Sequence, residues 1–358
     1  MHLLNPGPVN LTERVRRSLL QPDLCHRESE FFDLQDEARQ RLLAAYVLNP
    51  ASWCAVLMTS SGTGAVESML AALVPEAGRV LVVENGVYGE RIAHICAQYG
   101  IAHERMMGSW MQAARPETIA ARLDAAAPAA RFSHIAIVHH ETTTGRLNDL
   151  EPLGAICRAR NVGLLLDGVS SFGAEALNFS DDSLMAVAGT ANKCLHGVPG
   201  VSFVIVRRAA LAQAASRTYY LDLSRLARAQ DERGTPFTPA VHAYYGLVEA
   251  LREFSESGGR AARYRRYAAL AERVRAGLAD CGIEAAIPAE ESSVVLRAYR
   301  LPQGVTYRAM HDALKAEGFV IYAGQGQLAQ TLFRISTMGE VTAADVDRLL
   351  RCFRRMRM

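Results

Sequence analysis

Leu164-Leu165-Leu166-Asp167-Gly168-Val169-Ser170-Ser171 brings a carboxylate to the end of an apolar run. Unpaired at the end of a buried strand, that charge would carry a heavy desolvation cost. It suits a metal, a ribose or a protonated ring nitrogen, and equally a solvated turn before Gly168. Working outward, further short apolar runs lie at 56–58, 80–83, 134–139, 184–188 and 201–206. Between them, 65–73, 89–99, 116–123 and 150–159 are each long enough for a crossover helix. This alternation predicts a mostly parallel sheet covered by helices, with chemistry in the loops after the strand ends.

The last hundred residues follow another pattern. Strands are expected at 292–300, 319–323 and 331–336, and helices at 306–317 and 342–356, the last opened by the capping pair Thr342 and Asp345. With an Arg-rich helix at 260–278 leading in, the sequence divides into an N-terminal segment 1–14, a large domain 15–245 and a smaller α+β domain 246–358.

Composition narrows the class. The 358 residues are half hydrophobic, enough for a sizeable core, and the net charge of +2 argues against a nucleic-acid binder that relies on basic excess. No apolar run reaches membrane-spanning length. Seven singly spaced cysteines with no CxxC pair suit reduced thiols in a cytoplasm, not a disulfide frame or a zinc site. Only two lysines occur, Lys193 and Lys315, against 37 arginines. In such a chain a retained Lys marks a place where an amine that can lose its proton is needed. Lys315 fits a surface helix end instead, so the neighbours of Lys193 decide.

Lys193 lies in Thr190-Ala191-Asn192-Lys193-Cys194-Leu195-His196-Gly197-Val198-Pro199-Gly200, a loop between two strands. A third motif, Ser60-Ser61-Gly62-Thr63-Gly64-Ala65-Val66-Glu67, follows a strand and opens a helix. Alone it fits a phosphate loop, part of a dinucleotide fingerprint or a plain turn, the third glycine position of that fingerprint being Glu67. Together the three motifs supply an anion cradle, a buried acid and an amine. That is the minimum that holds pyridoxal 5′-phosphate: Lys as Schiff base, Asp on the ring nitrogen, and the cradle on the phosphate.

The chain also resembles, nearly end to end, the class V aminotransferases, a branch of the fold-type I pyridoxal phosphate enzymes. Leu4-Asn5-Pro6-Gly7-Pro8-Val9, Asn85-Gly86-Val87-Tyr88-Gly89, His140-Glu141-Thr142-Thr143-Thr144-Gly145 and Phe333-Arg334-Ile335 carry the resemblance with the motifs above. The Glu-Thr-Thr-Thr-Gly and Asn-Lys-Cys runs, with the Gly-Val-Pro-Gly that follows, are the more specific signals. Within the family the likeness is strongest to the branch acting on 2-aminoethylphosphonate and pyruvate. It implies ping-pong transfer of the amino group through Lys193 to give phosphonoacetaldehyde and alanine, in a homodimer with shared sites.

By that resemblance, Lys193 forms the Schiff base and moves the proton, and Asp167 pairs with the ring nitrogen. Tyr88 and Val169 cover the two faces of the ring, and Ser61, Gly62 and Thr63 hold the phosphate. Thr142 and Asn192 lie near the ring oxygen and the substrate, and Thr238 reaches the phosphate in the neighbouring subunit. Arg334 would bind the substrate anion as a bidentate fork. The run Cys25-His26-Arg27-Glu28 resembles a His-Arg segment of the alanine/serine:glyoxylate branch, and part of the phosphonate branch carries a similar Cys-x-Arg-Glu run. Its Arg27 would add positive charge at the substrate mouth or brace the domain interface. An alanine/serine:glyoxylate aminotransferase and a pyridoxal phosphate lyase for a phosphonate or sulfonate amine are the competing expectations. A cysteine desulfurase is disfavoured by Asn192 before Lys193 and by the Cys-free loop 324–327.

Overall fold

The computed structural model describes residues 1–356. Arg357 and Met358, the last two residues of the expected C-terminal domain, lie outside the described residues. Seven strands form the central sheet, in the order Trp53–Met58, Ser202–Arg207, Leu184–Thr190, Gly163–Asp167, His134–Val138, Arg79–Glu84 and Ala102–Met107. All run the same way except Ser202–Arg207, which is antiparallel to both neighbours. This is the α/β, mainly parallel architecture that the alternation predicts.

The period of two in each strand fills a core on both faces. Leu164 and Leu166 pack on one side with Phe31, Leu57 and Phe203. Leu165 turns to the other with Val56, Val82 and Val204. A sheet buried on both sides leaves its strand ends as the exits for polar side chains, and at those ends the carboxylate of Asp167 and the loop of Lys193 emerge.

Ala102–Met107 is a strand that the apolar pattern does not announce. It reads Ala-His-Glu-Arg-Met-Met because an edge strand needs little apolar burial, and its charges pair sideways: Arg105 with Glu84, Glu104 with Arg79. Helix Val241–Glu256 runs across the expected division at 245/246, and its Leu247, Val248 and Leu251 join the core of the large sheet. The chain then turns at Gly258 into helix Gly259–Ala279, whose Leu270, Val274 and Leu278 pack in a separate core.

That second core underlies a three-stranded antiparallel sheet of Leu296–Arg300, Leu332–Ser336 and Tyr322–Ala323. The expected strand 319–323 divides in two. Phe319 and Ile321 both bury in the core, but Phe319–Val320 pairs in parallel with His2–Leu3, while Tyr322–Ala323 pairs with Leu332–Ser336. Helix Ala343–Arg355 begins on the expected capping box of Thr342 and Asp345. Among the described residues, no helix is long and apolar enough to cross a membrane.

Two contacts tie this unit to the large sheet near Lys193. His196, buried in the lysine loop, accepts from the Gly339 amide at 3.0 Å and meets the Tyr267 hydroxyl at 2.5 Å. At the amino-terminal segment, a Cβ on Gly7 would stand 3.4 Å from Lys193 Cγ.

His139, at the end of strand His134–Val138, is buried with Nδ1 unpartnered, and burial holds its imidazole down at about 3. Above pH 6.5 the ring is neutral folded or unfolded, and its contribution to stability is complete. Below 6.5 only the unfolded chain takes up the proton, until about pH 3. Urea unfolding of wild type should therefore lose about 1.4 kcal/mol more per pH unit below 6.5 than that of His139→Asn. Parallel pH profiles for the two proteins would contradict this.

Candidate active site

The loops after the parallel strands enclose a cavity of about 180 Å³. It brings together Ser61, Gly62, Thr63, Tyr88, Asp167, Val169, Asn192 and Lys193, residues spread over more than 130 positions of sequence. A larger cavity of about 520 Å³ lies elsewhere, lined by His139, Asp149, Glu151, Asp181 and Glu290 among others. It has neither an anion cradle nor an amine, and its Arg158 is already paired with Asp181.

The anion cradle is the first turn of helix Gly62–Leu73. The amides of Gly62 and Thr63 have no acceptor among the described residues, and the Ser61 side chain makes no capping bond. Such a turn presents free N–H groups and the positive end of the helix dipole. Gly62 must be glycine here, since a Cβ would lie 2.6 Å from Val169 Cγ1. The floor of the cavity depends on that close approach.

Asp167 Oδ1 accepts from the Val169 amide at 2.9 Å, and Oδ2 accepts no hydrogen bond among the described residues. Burial raises this carboxyl above its ordinary range, against the pull of the Val169 amide, Lys193 and Arg91. A cation brought beside it would reverse that shift and stabilise the charged form. Lys193 Nζ stands 5.6 Å from the centre of the Tyr88 ring. Burial alone would push the Tyr88 phenol up; the positive charge of Lys193, the nearby Thr142 hydroxyl and the charges of Arg334 and Arg91 together prevail and hold it below its usual value. Asn192 is fixed by the Thr190 hydroxyl, which donates to its Oδ1 at 2.7 Å. The neighbouring Cys194 is buried, its thiol pushed up to about 12, so it packs and is no nucleophile.

Two residues at this site had escaped sequence reasoning. Arg91 lies over the Tyr88 ring at 4.6 Å and donates to Thr63 Oγ1 at 3.0 Å, with no carboxylate partner among the described residues. It thus links the aromatic wall to the anion cradle. One helical turn after Tyr88 at the head of helix Val87–Gln98, its position was a signal, hidden among 37 arginines. Glu141 is fully buried: Oε2 accepts from the Tyr88 and Gly89 amides, each at 3.2 Å, and Oε1 from the Thr143 amide at 3.0 Å. It caps the helix that carries Tyr88, and burial raises its carboxyl above the ordinary range.

Arg334 is 2 % exposed, on strand Leu332–Ser336. Nε donates to the Ala323 carbonyl at 2.7 Å, and Nη1 to the Thr142 carbonyl at 3.0 Å and to Gln325 Oε1 at 2.8 Å. Three of its five N–H groups are therefore engaged, leaving the pair on Nη2 where a full fork was expected. No carboxylate pairs with it among the described residues, and burial lowers its pKa. Thr142, whose carbonyl reaches Arg334, has a buried hydroxyl without a partner. Thr238 and Arg27 stand apart from the cavity within one chain. Thr238 is exposed beside Phe237, and Arg27 is exposed before helix Ser29–Ala44.

Comparison with known proteins gives this geometry a family. The model of the aminotransferase class-V family matches residues 17–349. The 2-aminoethylphosphonate–pyruvate transaminase of Aeromonas hydrophila is 36% identical, the match covering 97% of this chain and 93% of that one. The enzyme of the same name from Syntrophobacter fumaroxidans is 33% identical over 98% and 94%. Among solved structures, an aspartate aminotransferase of subgroup IV from Thermus thermophilus superposes with a TM-score of 0.91 at 28% identity, covering 100% and 99% of the two chains. An alanine–glyoxylate aminotransferase from Nostoc gives 0.91 at 26%, covering 99% and 94%. The chain belongs to the class-V aminotransferases, and is an aminotransferase of the α/β, fold-type I architecture.

Proposed function

We propose that this enzyme transfers the amino group of 2-aminoethylphosphonate to pyruvate, giving phosphonoacetaldehyde and alanine, with pyridoxal 5′-phosphate in the 180 Å³ cavity. The observation that carries the substrate is Arg334. A buried, permanent cation held only by neutral oxygens is costly unless an anion arrives to pair with it. The names of the Aeromonas and Syntrophobacter relatives agree with a phosphonate as that anion.

The residues fit the cofactor on three structural features. The free amides at Gly62 and Thr63 suit its phosphate, Asp167 Oδ2 suits a protonated ring nitrogen, and the unpartnered Thr142 hydroxyl suits a ring substituent. When bound, pyridoxal phosphate supplies the conjugated system that stabilises the carbon losing its proton. Tyr88 and Val169, which line the cavity, would bound the two faces of the ring, and Arg91 steadies the Tyr88 ring and the Thr63 hydroxyl. Lys193 would hold the cofactor through its amine and be freed when the substrate amine takes its place. Its Nζ would then take up and return the proton of the substrate's amine-bearing carbon, as general base and then acid. Asp167 would keep the ring nitrogen charged, and Arg334 would anchor the far end of the substrate so that the labile C–H faces Lys193.

The likeness to the Nostoc enzyme supports a second reading, in which Arg334 holds a carboxylate and the pair is alanine with glyoxylate. A lyase would need no keto acid at all.

The assembly we propose is a homodimer in which Thr238 completes the partner's phosphate site. In support, Tyr219 and Tyr220 are 71% and 45% exposed and cluster with Phe237, next to Thr238. Such an aromatic patch on a monomer marks a contact surface. The unpaired cysteines suit a reducing cytoplasm as its location.

Lys193→Ala should lose roughly 10²–10⁴-fold or more in turnover while keeping its fold, measured as alanine formed from pyruvate; full turnover would overturn the assignment. Arg334→Ala should raise KM for 2-aminoethylphosphonate by about 30- to 150-fold, the loss of about 2–3 kcal/mol of charged hydrogen bonding, with cofactor affinity unchanged. Equal losses of both would remove Arg334 from the substrate site. Light scattering after size exclusion should give twice the 39.0 kDa chain mass, and a monomer would refute the shared site.

A further inference from the structure

The donor accounting around Arg334 settles the orientation of Gln325. A guanidinium only donates, so the Gln325 atom 2.8 Å from Nη1 must be its carbonyl Oε1. Gln325 Nε2 is therefore left free of Arg334, and its two hydrogens have no acceptor among the described residues. On the other side of the pair, Arg334 Nη2 also has no acceptor among the described residues. The two nitrogens of this hydrogen-bonded pair of side chains, one charged and one neutral, thus present four unengaged N–H bonds, and the cation has no counter-ion among the described residues.

The loop that carries Gln325 is held from both ends. The Gly324 amide donates to the Leu332 carbonyl at 2.7 Å, and the Leu328 amide to the Gln325 carbonyl at 3.0 Å. Gly326 takes a φ of +53°, and a Cβ there would lie 2.7 Å from the Trp110 ring, which comes from the large domain and lies directly on the loop. Gln325 therefore meets a ligand already positioned, and little ordering cost attaches to its use.

We propose that Gln325 is a specificity-determining residue, its Nε2 donating to an oxygen of a tetrahedral phosphonate whose other oxygens face Arg334 Nη2. A carboxylate has two coplanar oxygens and can take a hydrogen from Nη2 without a second donor. A phosphonate has three oxygens in a pyramid and more charge, so a second donor beside the guanidinium gains a bond that a carboxylate offers less readily. The inference rests on the phosphonate reading of the site and names the group that makes the distinction.

The test uses the cofactor-loaded enzyme and two probes without an amine, ethylphosphonate and propionate, titrated by calorimetry. For Gln325→Ala the Kd of ethylphosphonate should rise roughly tenfold or more, the range for one hydrogen bond to a charged group, while that of propionate changes less than twofold. Gln325→Glu is the same size and can pair with Arg334, so it should fold as wild type, yet it withdraws both donors and should abolish ethylphosphonate binding. In Gln325→Ala, equal changes for the two probes or no change for either would overturn the proposal, as would unchanged ethylphosphonate binding in Gln325→Glu or wild type binding ethylphosphonate no better than propionate. Absorbance of wild type mixed with 2-aminoethylphosphonate separates the two claims. No spectral change, with ethylphosphonate binding still dependent on Gln325, would remove the activity and keep the selector. Normal amine conversion with an unaltered KM in Gln325→Ala would remove the selector and keep the activity.

Discussion

A single carboxylate that never meets water, that of Glu141, organises much of this site. Its oxygens collect amides from two separate stretches, 88–89 at the head of a helix and 143 in the loop that follows the strand His134–Val138. A charge so buried is tolerated because the helix dipole and three N–H groups converge on it. In return it fixes the angle at which Tyr88 leaves its helix. It also holds in place the neighbouring Thr142, whose carbonyl accepts from Arg334. The ring proposed to cover the cofactor and the cation proposed to receive the substrate are thereby referenced to one buried group.

Around that group the architecture adds little that is adjustable. The parallel sheet delivers Asp167 and the Lys193 loop to the same edge, and the Gly62–Val169 contact sets the floor between them. His196 then ties the lysine loop to Gly339 and Tyr267, on the side of the smaller sheet. Arg334 is carried by that smaller sheet, so the distance between amine and anion site depends on how the two sheets are joined, not on either alone. Calorimetric and kinetic effects of substitutions at the junction should accordingly be read as changes in substrate alignment.

Much of this was legible in the chain itself. Asp167, Lys193 and Gly62 stand out because each lies in a motif that follows an apolar strand, and because lysine is scarce here. The strands of the sheet interior were visible because burial on two faces demands unbroken apolar runs. The edge strand Ala102–Met107 was not, since its charges are satisfied laterally. Nor was the break within 319–323, where burial continues through Phe319 and Ile321 while the hydrogen-bond partner changes. Glu141 looked like part of a motif without a stated task, Arg91 was one arginine among 37, and Gln325 was one residue of a loop noted only for lacking cysteine. Their meaning lies in what they face across the fold, and no local pattern encodes that.

Lysine scarcity has a further consequence for handling the molecule. Among the described residues the side-chain amines are Lys193, half-buried in the cavity, and Lys315, exposed near the end of helix Tyr307–Ala316. Amine-directed reagents therefore meet two unequal side-chain targets, one of them occupied when Lys193 carries the proposed cofactor. A fluorophore coupled through an activated ester to the loaded enzyme, with the amino terminus blocked, would mark one known point on the smaller sheet's outer helix.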